Sequence, residues 1–131
     1  MKDFNQAQTG DTPSITVDVE KREISISGKC FPANAREFFG PFRNWLDTNL
    51  KDNDESISLN VDLEYFNTSS SLVLLEIMRQ LIKSNNCVNH CINWIYEEED
   101  EDIKEAGIEY SYLLNNKLKV ISKPERSLSV A

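Results

Sequence analysis

The residues best suited to chemistry form a run of hydroxyl side chains between a strand-like and a helix-like segment. Asn67 is followed by Thr68, Ser69, Ser70 and Ser71, and apolar residues then recur at helical spacing. The start of a helix carries backbone N–H groups without intrahelical partners, and it is the positive end of the helix dipole. A phosphate on a hydroxyl at that position is held by the same donors. The run is therefore chemically suited to be a phosphoacceptor site.

Spacing alone favours helix capping as the role of this run, because Ser, Thr and Asn are common N-cap residues. Nucleophilic catalysis is a second alternative, and it needs a base, normally a histidine oriented by a third group. The only histidine is His90, which lies between Asn89 and Cys91 in a strand-like segment. Since this histidine is better explained as a structural or surface residue, we predict that the protein is not an enzyme.

Metal binding has two candidate sets of ligands, and both are weak. Cys87, His90 and Cys91 lie close together, but a structural zinc site needs a fourth ligand, here Cys30 or a distant carboxylate. The acidic run 97–102 lacks the spaced pattern of a calcium loop. It fits either a solvated helix entry favoured by the dipole or a protein-binding acidic patch. We predict neither a metal nor a cofactor.

Composition and charge narrow the class of protein further. The chain has 131 residues, 40% of them hydrophobic, which suits a single domain with its own core. Its formal net charge of −8 would repel nucleic acid and anionic lipid, so we expect neither as a partner. No apolar run approaches the roughly 20 residues of a membrane span, and the first residues lack a signal-peptide core. We therefore expect a cytoplasmic protein whose three cysteines are thiols.

The periodicity predicts an α/β domain with a mixed sheet, in the order ββαβαβα followed by a weak β. Residues 1–12 are expected to be a flexible arm, 13–122 a single domain and 123–131 a flexible tail. The predicted strands cover 15–19, 24–26, 57–65, 88–96 and 118–121, and two of the helices cover 74–82 and 103–114. The first helix begins after Asn34, a good N-cap with Glu37 three residues on, and Pro41 predicts a kink or a restart within it.

Several segments, taken in order, resemble the SiaC family of bacterial regulatory phosphoproteins. They are 24–28, 31–35, 37–39, 45–46, 63–71, 93–94 and the acidic residues 98–102 before 106–107. The most specific segment is Glu-Tyr-Phe-Asn-Thr-Ser-Ser-Ser, and the resemblance covers residues 12–121, nearly the whole domain. The two ends of the chain, Cys87 and Cys91 are not part of the pattern.

The resemblance implies a STAS-like domain of the anti-sigma-factor-antagonist type, with a mixed β-sheet flanked by helices. It implies that Thr68 is phosphorylated by a kinase of the anti-sigma type and dephosphorylated by a PP2C-like phosphatase. The unphosphorylated form is expected to bind and activate a diguanylate cyclase, which raises cyclic di-GMP and favours biofilm. The expected partner-binding residues are Glu64, Tyr65, Phe66, Asn67, Ser69 and Ser70. A constitutive adaptor, or an anti-sigma-factor antagonist acting on another effector, is the alternative.

Overall fold

A computed structural model describes residues 1–50, 56–84 and 91–125 of the chain. Within them the elements are β1 (Phe4–Gln6), β2 (Ser14–Asp18), β3 (Glu23–Cys30), α1 (Ala35–Asn49), β4 (Ser58–Phe66), α2 (Thr68–Ser84), β5 (Ile92–Glu97), α3 (Glu101–Leu113) and β6 (Leu118–Lys123). These strands form one sheet in chain order; β1, β2 and β3 pair antiparallel, and β3 to β6 pair parallel. The predicted α/β class with a mixed sheet is confirmed.

The alternation along each strand places the core on one face of the sheet. In β4, Leu59, Val61 and Leu63 are buried, whereas Asn60 and Asp62 between them are half-buried. The other strands follow the same pattern, so α1, α2 and α3 cover the apolar face. Crossover connections between adjacent parallel strands are right-handed. Because these strands follow one another in chain order, consecutive helices lie side by side on that face. The polar face carries amide, hydroxyl and charged side chains.

Helix α1 begins as predicted and then runs through its proline. Asn34 Oδ1 accepts a hydrogen bond from the Glu37 backbone N–H at 3.1 Å, which confirms the N-cap. Of the kink or restart predicted at Pro41, the restart is wrong, because one helix continues from Ala35 to Asn49. Phe39 and Phe42 on the two sides of the proline are completely buried. Their burial stabilises the helix across the missing backbone donor.

The N-terminal residues are not a loose arm, and the prediction for 1–12 is wrong in this respect. Strand β1 pairs with β2, and the Phe4 ring lies 5.6 Å from Phe42 and 6.4 Å from Trp45 between centroids. The Trp45 indole N–H donates to the Lys2 carbonyl at 2.9 Å. A three-residue edge strand is too short to show a period in the sequence. Tertiary contacts with α1 hold it in place.

The C-terminal strand extends one residue beyond the predicted domain end at 122. Lys123 closes β6, and its Nζ lies 2.7 Å from Asp62 Oδ2 on the polar face of the sheet. Residues 126–131, in the predicted tail, lie outside the described part of the chain. None of the helices within the described ranges is long and apolar enough to cross a membrane.

Candidate phosphoacceptor and partner-binding site

Asn67 fixes the point at which β4 ends and α2 begins. Its backbone N–H donates to the Cys30 carbonyl at 2.9 Å, and its side-chain Nδ2 donates to the Pro32 carbonyl at 3.2 Å. Its Oδ1 accepts from the Ser70 N–H at 3.0 Å, which is the geometry of an N-cap. One asparagine therefore caps α2 and ties it to the loop that follows the neighbouring strand β3.

The hydroxyl groups after Asn67 differ sharply in their surroundings. Ser69 Oγ donates to Asn67 Oδ1 at 3.3 Å, and Ser71 Oγ donates to the Thr68 carbonyl at 2.7 Å. Ser70 is completely buried. Thr68 is exposed, and its hydroxyl makes no hydrogen bond to any residue that the structure describes. Among these four residues, Thr68 alone is exposed and has a hydroxyl without a hydrogen-bond partner in the described part of the chain.

Ser70 belongs to the first turn of α2, and its side chain lies next to Cys30. Its Oγ has no hydrogen-bond partner at normal distance within the described residues. Burial raises the pKa of the Cys30 thiol, and the Ser70 hydroxyl beside it opposes this rise. The prediction that Ser70 contacts a partner is wrong for this conformation, because no part of its surface is accessible. Its side chain instead lies against Cys30 at the end of β3.

An aromatic cluster supports the first turn of α2 from the side of α3. The Tyr110 hydroxyl donates to the Ser71 carbonyl at 2.7 Å. The Trp94 ring lies 5.1 Å from Tyr110 and 5.7 Å from Phe66 between centroids. Burial, together with the negative charge of Glu109, raises the pKa of Tyr110, so the phenol remains a neutral donor. Phe66, predicted as a partner-binding residue, is half-buried in this cluster.

Two exposed side chains near Thr68 were not predicted as site residues. Phe31 follows β3 directly, and its ring makes an edge contact with the exposed Tyr65 at 5.8 Å between centroids. Leu72, one helical turn after Thr68, is 53% exposed. The signal in the sequence is an aromatic residue immediately before Pro32 and a leucine off the buried stripe of α2. Glu64, a predicted partner-binding residue, is also exposed in this region.

A shallow groove of about 250 Å³ lies between α2 and α3, beginning beside the first turn of α2. Its lining includes Phe66, Leu72, Leu75, Glu109, Tyr110 and Leu113. Most of this lining is apolar, and two of its leucines are substantially exposed. The site thus combines an exposed hydroxyl with an adjoining apolar surface, which is the combination expected at a protein interface.

The acidic run 97–102 is divided between two elements. Glu97 ends β5, whereas Asp100 caps α3 by accepting from the Ile103 N–H at 3.1 Å. The predicted helix entry is therefore confirmed for Asp100. The described residues contain no group of three or more His, Cys, Asp and Glu side chains that could hold a metal ion.

The cysteines differ from the sequence prediction in one respect. Cys91 is disulfide-bonded, so the prediction that it is a thiol is wrong, whereas Cys30 is free and buried. Cys87 and His90, the other two candidate zinc ligands, lie outside the described residues.

These features define a class: a small α/β domain with one mixed sheet, helices on one face, and an exposed hydroxyl at a helix start following a parallel strand. The chain belongs to the SiaC family of regulatory phosphoproteins, whose family model matches residues 6–123. The resemblance seen in the sequence is thereby confirmed.

Comparison with solved structures gives the same fold. Apo-SiaC from Pseudomonas aeruginosa superposes with a TM-score of 0.74 at 23% identity, covering 94% of this chain and 99% of that one. SiaC in its complex with the diguanylate cyclase SiaD, from the same organism, gives 0.78 at 24% identity, covering 92% and 100%. An uncharacterized protein of P. aeruginosa strain UCBPP-PA14 is 28% identical over 111 residues, covering 84% of this chain and 88% of the relative.

Proposed function

We propose that this chain is a non-enzymatic signalling switch of the cytoplasm, controlled by phosphorylation of Thr68. A kinase of the anti-sigma type adds the phosphate, and a PP2C-like phosphatase removes it. The unphosphorylated form binds and activates a diguanylate cyclase, raising cyclic di-GMP. The observation that carries the proposal is the exposed, uncommitted hydroxyl of Thr68 at the start of α2. Membership of a family of regulatory phosphoproteins supports it, and so does the solved complex of P. aeruginosa SiaC with its cyclase.

We propose Thr68 rather than a serine as the phosphoacceptor because the hydroxyl groups of the serines are either hydrogen-bonded or buried. Ser69 and Ser71 already donate hydrogen bonds, and Ser70 is buried. Thr68 is also not needed as a cap, because Asn67 supplies the capping oxygen for α2. This last point favours a modified residue over the alternative in which Thr68 does nothing more than start the helix.

The phosphate is proposed to act by local charge. A phosphothreonine carries about −1.5 to −2 charges at neutral pH. At the first position of α2 it meets the positive end of the dipole, a favourable interaction of about 0.3–1 kcal/mol. The fold therefore tolerates the phosphate. A partner packed on the same surface has to desolvate a dianion instead, at a cost of several kcal/mol.

The proposed contact surface surrounds the acceptor. Its members are Glu64, Tyr65, Phe66, Asn67 and Ser69 from the predicted set, together with Phe31. The exposed Phe31–Tyr65 pair is the strongest candidate for an anchor, because aromatic side chains dominate the energetics of protein interfaces.

Two measurements test the switch. The chain is incubated with its kinase and ATP, and phosphopeptides are mapped for the wild type, Thr68→Ala and Ser69→Ala. We expect incorporation to be lost in Thr68→Ala and kept in Ser69→Ala. Cyclase binding and cyclic di-GMP synthesis are then compared for unmodified, phosphorylated and Thr68→Ala protein. Activation by the unmodified protein and by Thr68→Ala, but not by phosphoprotein, is the expected pattern.

Other patterns point to the alternatives. Phosphate found mainly on a serine would exclude Thr68 as the acceptor. Equal activation by modified and unmodified protein would indicate a constitutive adaptor. Binding of the kinase without any binding of a cyclase would indicate an anti-sigma-factor antagonist that serves another effector.

A further inference from the structure

We propose that the outer edge of β6 is a docking surface at which an extended segment of a partner protein adds a further strand to the sheet. The segment carries an apolar residue that packs on Ile108 of α3 and an acidic residue beside Lys119 of β6. This surface lies on the flank of α3 opposite to the groove, so it does not depend on the proposed switch at Thr68.

The first argument is the backbone of β6, which is the last strand of the sheet. It pairs with β5 on one side, and no strand in the part of the chain that the structure describes lies on the other. The Lys123 carbonyl accepts a hydrogen bond from the Glu98 N–H at 3.0 Å. Because every second residue of a parallel strand bonds to the same neighbour, Lys123 and the residues two and four before it pair with β5. Val120 and Ser122 therefore present their N–H and C=O groups to the outer edge.

The second argument is the flank of α3 that lies over this edge. Ala106 lines the groove towards α2, and Ile108 is about 200° further round the helix, so Ile108 is on the other flank. Ser111 shares that flank at a spacing of three residues. Its hydroxyl donates to the Leu118 carbonyl at 3.0 Å, which places the flank over the first residue of β6.

The exposed apolar residue of this flank is Ile108, with 53% of its surface accessible. Because α3 connects two parallel strands, it runs antiparallel to β6. Moving from Ser111 back to Ile108 therefore follows β6 forward from Leu118 to Val120. The two steps are about 4.5 Å along the helix and about 6.6 Å along the strand, so Ile108 and Val120 stay nearly level. A strand added at the edge would place a side chain beneath Ile108, and sheet-edge recognition uses such alternate contacts for specificity.

The third argument is charge, which selects the occupant. Residues 117–123 contain three lysines and no acidic residue, in a chain whose net charge is −8. Lys119 is exposed, and strand alternation places it on the face of the sheet away from the helices. A carboxylate directly opposite Lys119 on an added strand is a favourable cross-strand pair. Beyond the other end of β6, residues 99–102 and Glu125 line an acidic depression. The acidic residue of the partner therefore belongs beside Lys119, at the start of β6.

The same charges argue against two other occupants of the edge. Antiparallel pairing of β6 with β6 of a second copy would bring the lysines of both strands together, and like charges on opposed strands are destabilising. Residues 126–131 of this chain contain Arg126 and no acidic residue, so they lack the required carboxylate. A separate protein with an apolar and acidic extended segment fits the edge better than either.

A capped hexapeptide, Glu-Val-Thr-Val-Thr-Val, is the probe for this surface, because its valines share one face and its Glu lies on the other. Nuclear magnetic resonance of the isotopically labelled full chain measures its binding up to millimolar concentration. The amide signals of Val120 and Ser122 should shift, and their hydrogen exchange should slow about tenfold or more at saturation. The same peptide methylated on every backbone nitrogen should not bind. The peptide with Lys in place of Glu should bind about threefold more weakly or worse.

Two variants of the chain test the side-chain contacts. Ile108→Ser should weaken the affinity for the Glu peptide about fivefold or more. Leu72→Ser is its matched control, because Leu72 is equally exposed but lines the groove on the other side of α3, and it should stay within about twofold. Lys119→Glu should reverse the preference, so that the Lys peptide binds more tightly than the Glu peptide.

Several outcomes would overturn the proposal. Unchanged Val120 and Ser122 amides, or equal binding of the methylated peptide, would exclude strand addition. Slow exchange of both amides in the free chain would show that the edge is already covered, and sedimentation would then tell whether a second copy covers it. Thr68→Glu should leave peptide binding within about twofold, since Thr68 begins α2 and the edge lies beyond α3. Failure of strand addition would thus leave the proposed switch intact, and loss of the switch would leave strand addition intact.

Discussion

The N-termini of α2 and α3 differ in how far carboxylates compensate the positive end of the helix dipole. Helix α3 has Asp100 as its cap and Glu101 and Asp102 in its first turn, so carboxylates already complement its dipole. Helix α2 is capped by the neutral Asn67 and has no acidic residue in its first turn. Neither the cap nor the first turn of α2 therefore supplies a carboxylate at the position where the exposed Thr68 hydroxyl lies. The difference shows that a negative charge added at the start of α2 would meet a helix dipole that no carboxylate of that first turn complements, whereas one added at the start of α3 would meet three carboxylates.

The two starts also differ in how they are held. Asp100 contacts the chain immediately after it, whereas Asn67 reaches across to the loop after β3. The first turn of α2 is further fixed by Tyr110 of α3. The start of α2 thus contacts both the loop after β3 and helix α3. Its rigidity therefore depends on how those two elements pack against it.

The largest effect on that packing is expected from Gly107→Ala. A Cβ at Gly107 would clash with Trp94 Cδ1 and lie 2.8 Å from Trp94 Nε1, so it could not be accommodated without displacement of the indole. Overpacking of this kind costs about 1–3 kcal/mol, and it disturbs the ring that packs on Tyr110 and Phe66.

Chemical denaturation measures this cost, with Gly40→Ala as the control. A Cβ at Gly40 in α1 meets nothing within 4 Å, so this change should be neutral or slightly stabilising. Equal stability of the two variants would contradict the tight contact between α3 and the Trp94 ring.

A smaller loss of unfolding free energy is expected from removal of either helix cap. Asn67→Ala removes the cap of α2 and the hydrogen bond to Pro32, for a loss of about 1–2 kcal/mol in unfolding free energy. Asp100→Ala removes the cap of α3 and should cost about 1 kcal/mol. Urea unfolding measures both. A greater loss for Asp100→Ala than for Asn67→Ala would contradict the view of α2 as the more constrained junction.

The hydrogen bond from Tyr110 to Ser71 should contribute less than the Asn67 cap. Tyr110→Phe keeps the ring and removes the donor, at a cost of about 0.5–1.5 kcal/mol. Amide hydrogen exchange should accelerate in the first turn of α2 and remain unchanged in α1. Tyr112→Phe is the matched control, because Tyr112 is 81% exposed. Acceleration in both variants would argue against a specific role for Tyr110.

The sequence predicts most of this architecture because its elements have strong local signals. Leu59, Val61 and Leu63 alternate in β4, and Asn34 marks the start of α1. Prediction from the sequence is wrong where tertiary contacts determine the local structure. Strand β1 is too short to show a period, and α1 continues past Pro41 because its buried stripe spans the proline.

The candidate site was predicted in part for a similar reason. The hydroxyl run and its place before α2 are visible in the sequence, and family resemblance adds the assignment to Thr68. The burial of Ser70 and the exposure of Phe31 and Leu72 are not visible, because they depend on how α2 packs on β3 and α3. The missing carboxylates of the α2 first turn can be read from the sequence, but they gain meaning only once the start of that helix is fixed.

The smallest predicted effect tests the comparison of the two helix starts directly. Thr68→Glu places a carboxylate in the first turn of α2, where none is present, and should raise the unfolding free energy by about 0.3–1 kcal/mol. Asp102→Asn removes one from the first turn of α3 and should lower it by a similar amount. Both effects should shrink in high salt, since exposed charges are screened. Phosphorylated wild type should follow Thr68→Glu in direction with a larger change, because a phosphate carries more charge. Thermal and urea unfolding at low and high salt measure all three. If phosphorylation destabilises the domain instead, the dipole of α2 does not receive the phosphate, and the switch would have to act by unfolding the helix start.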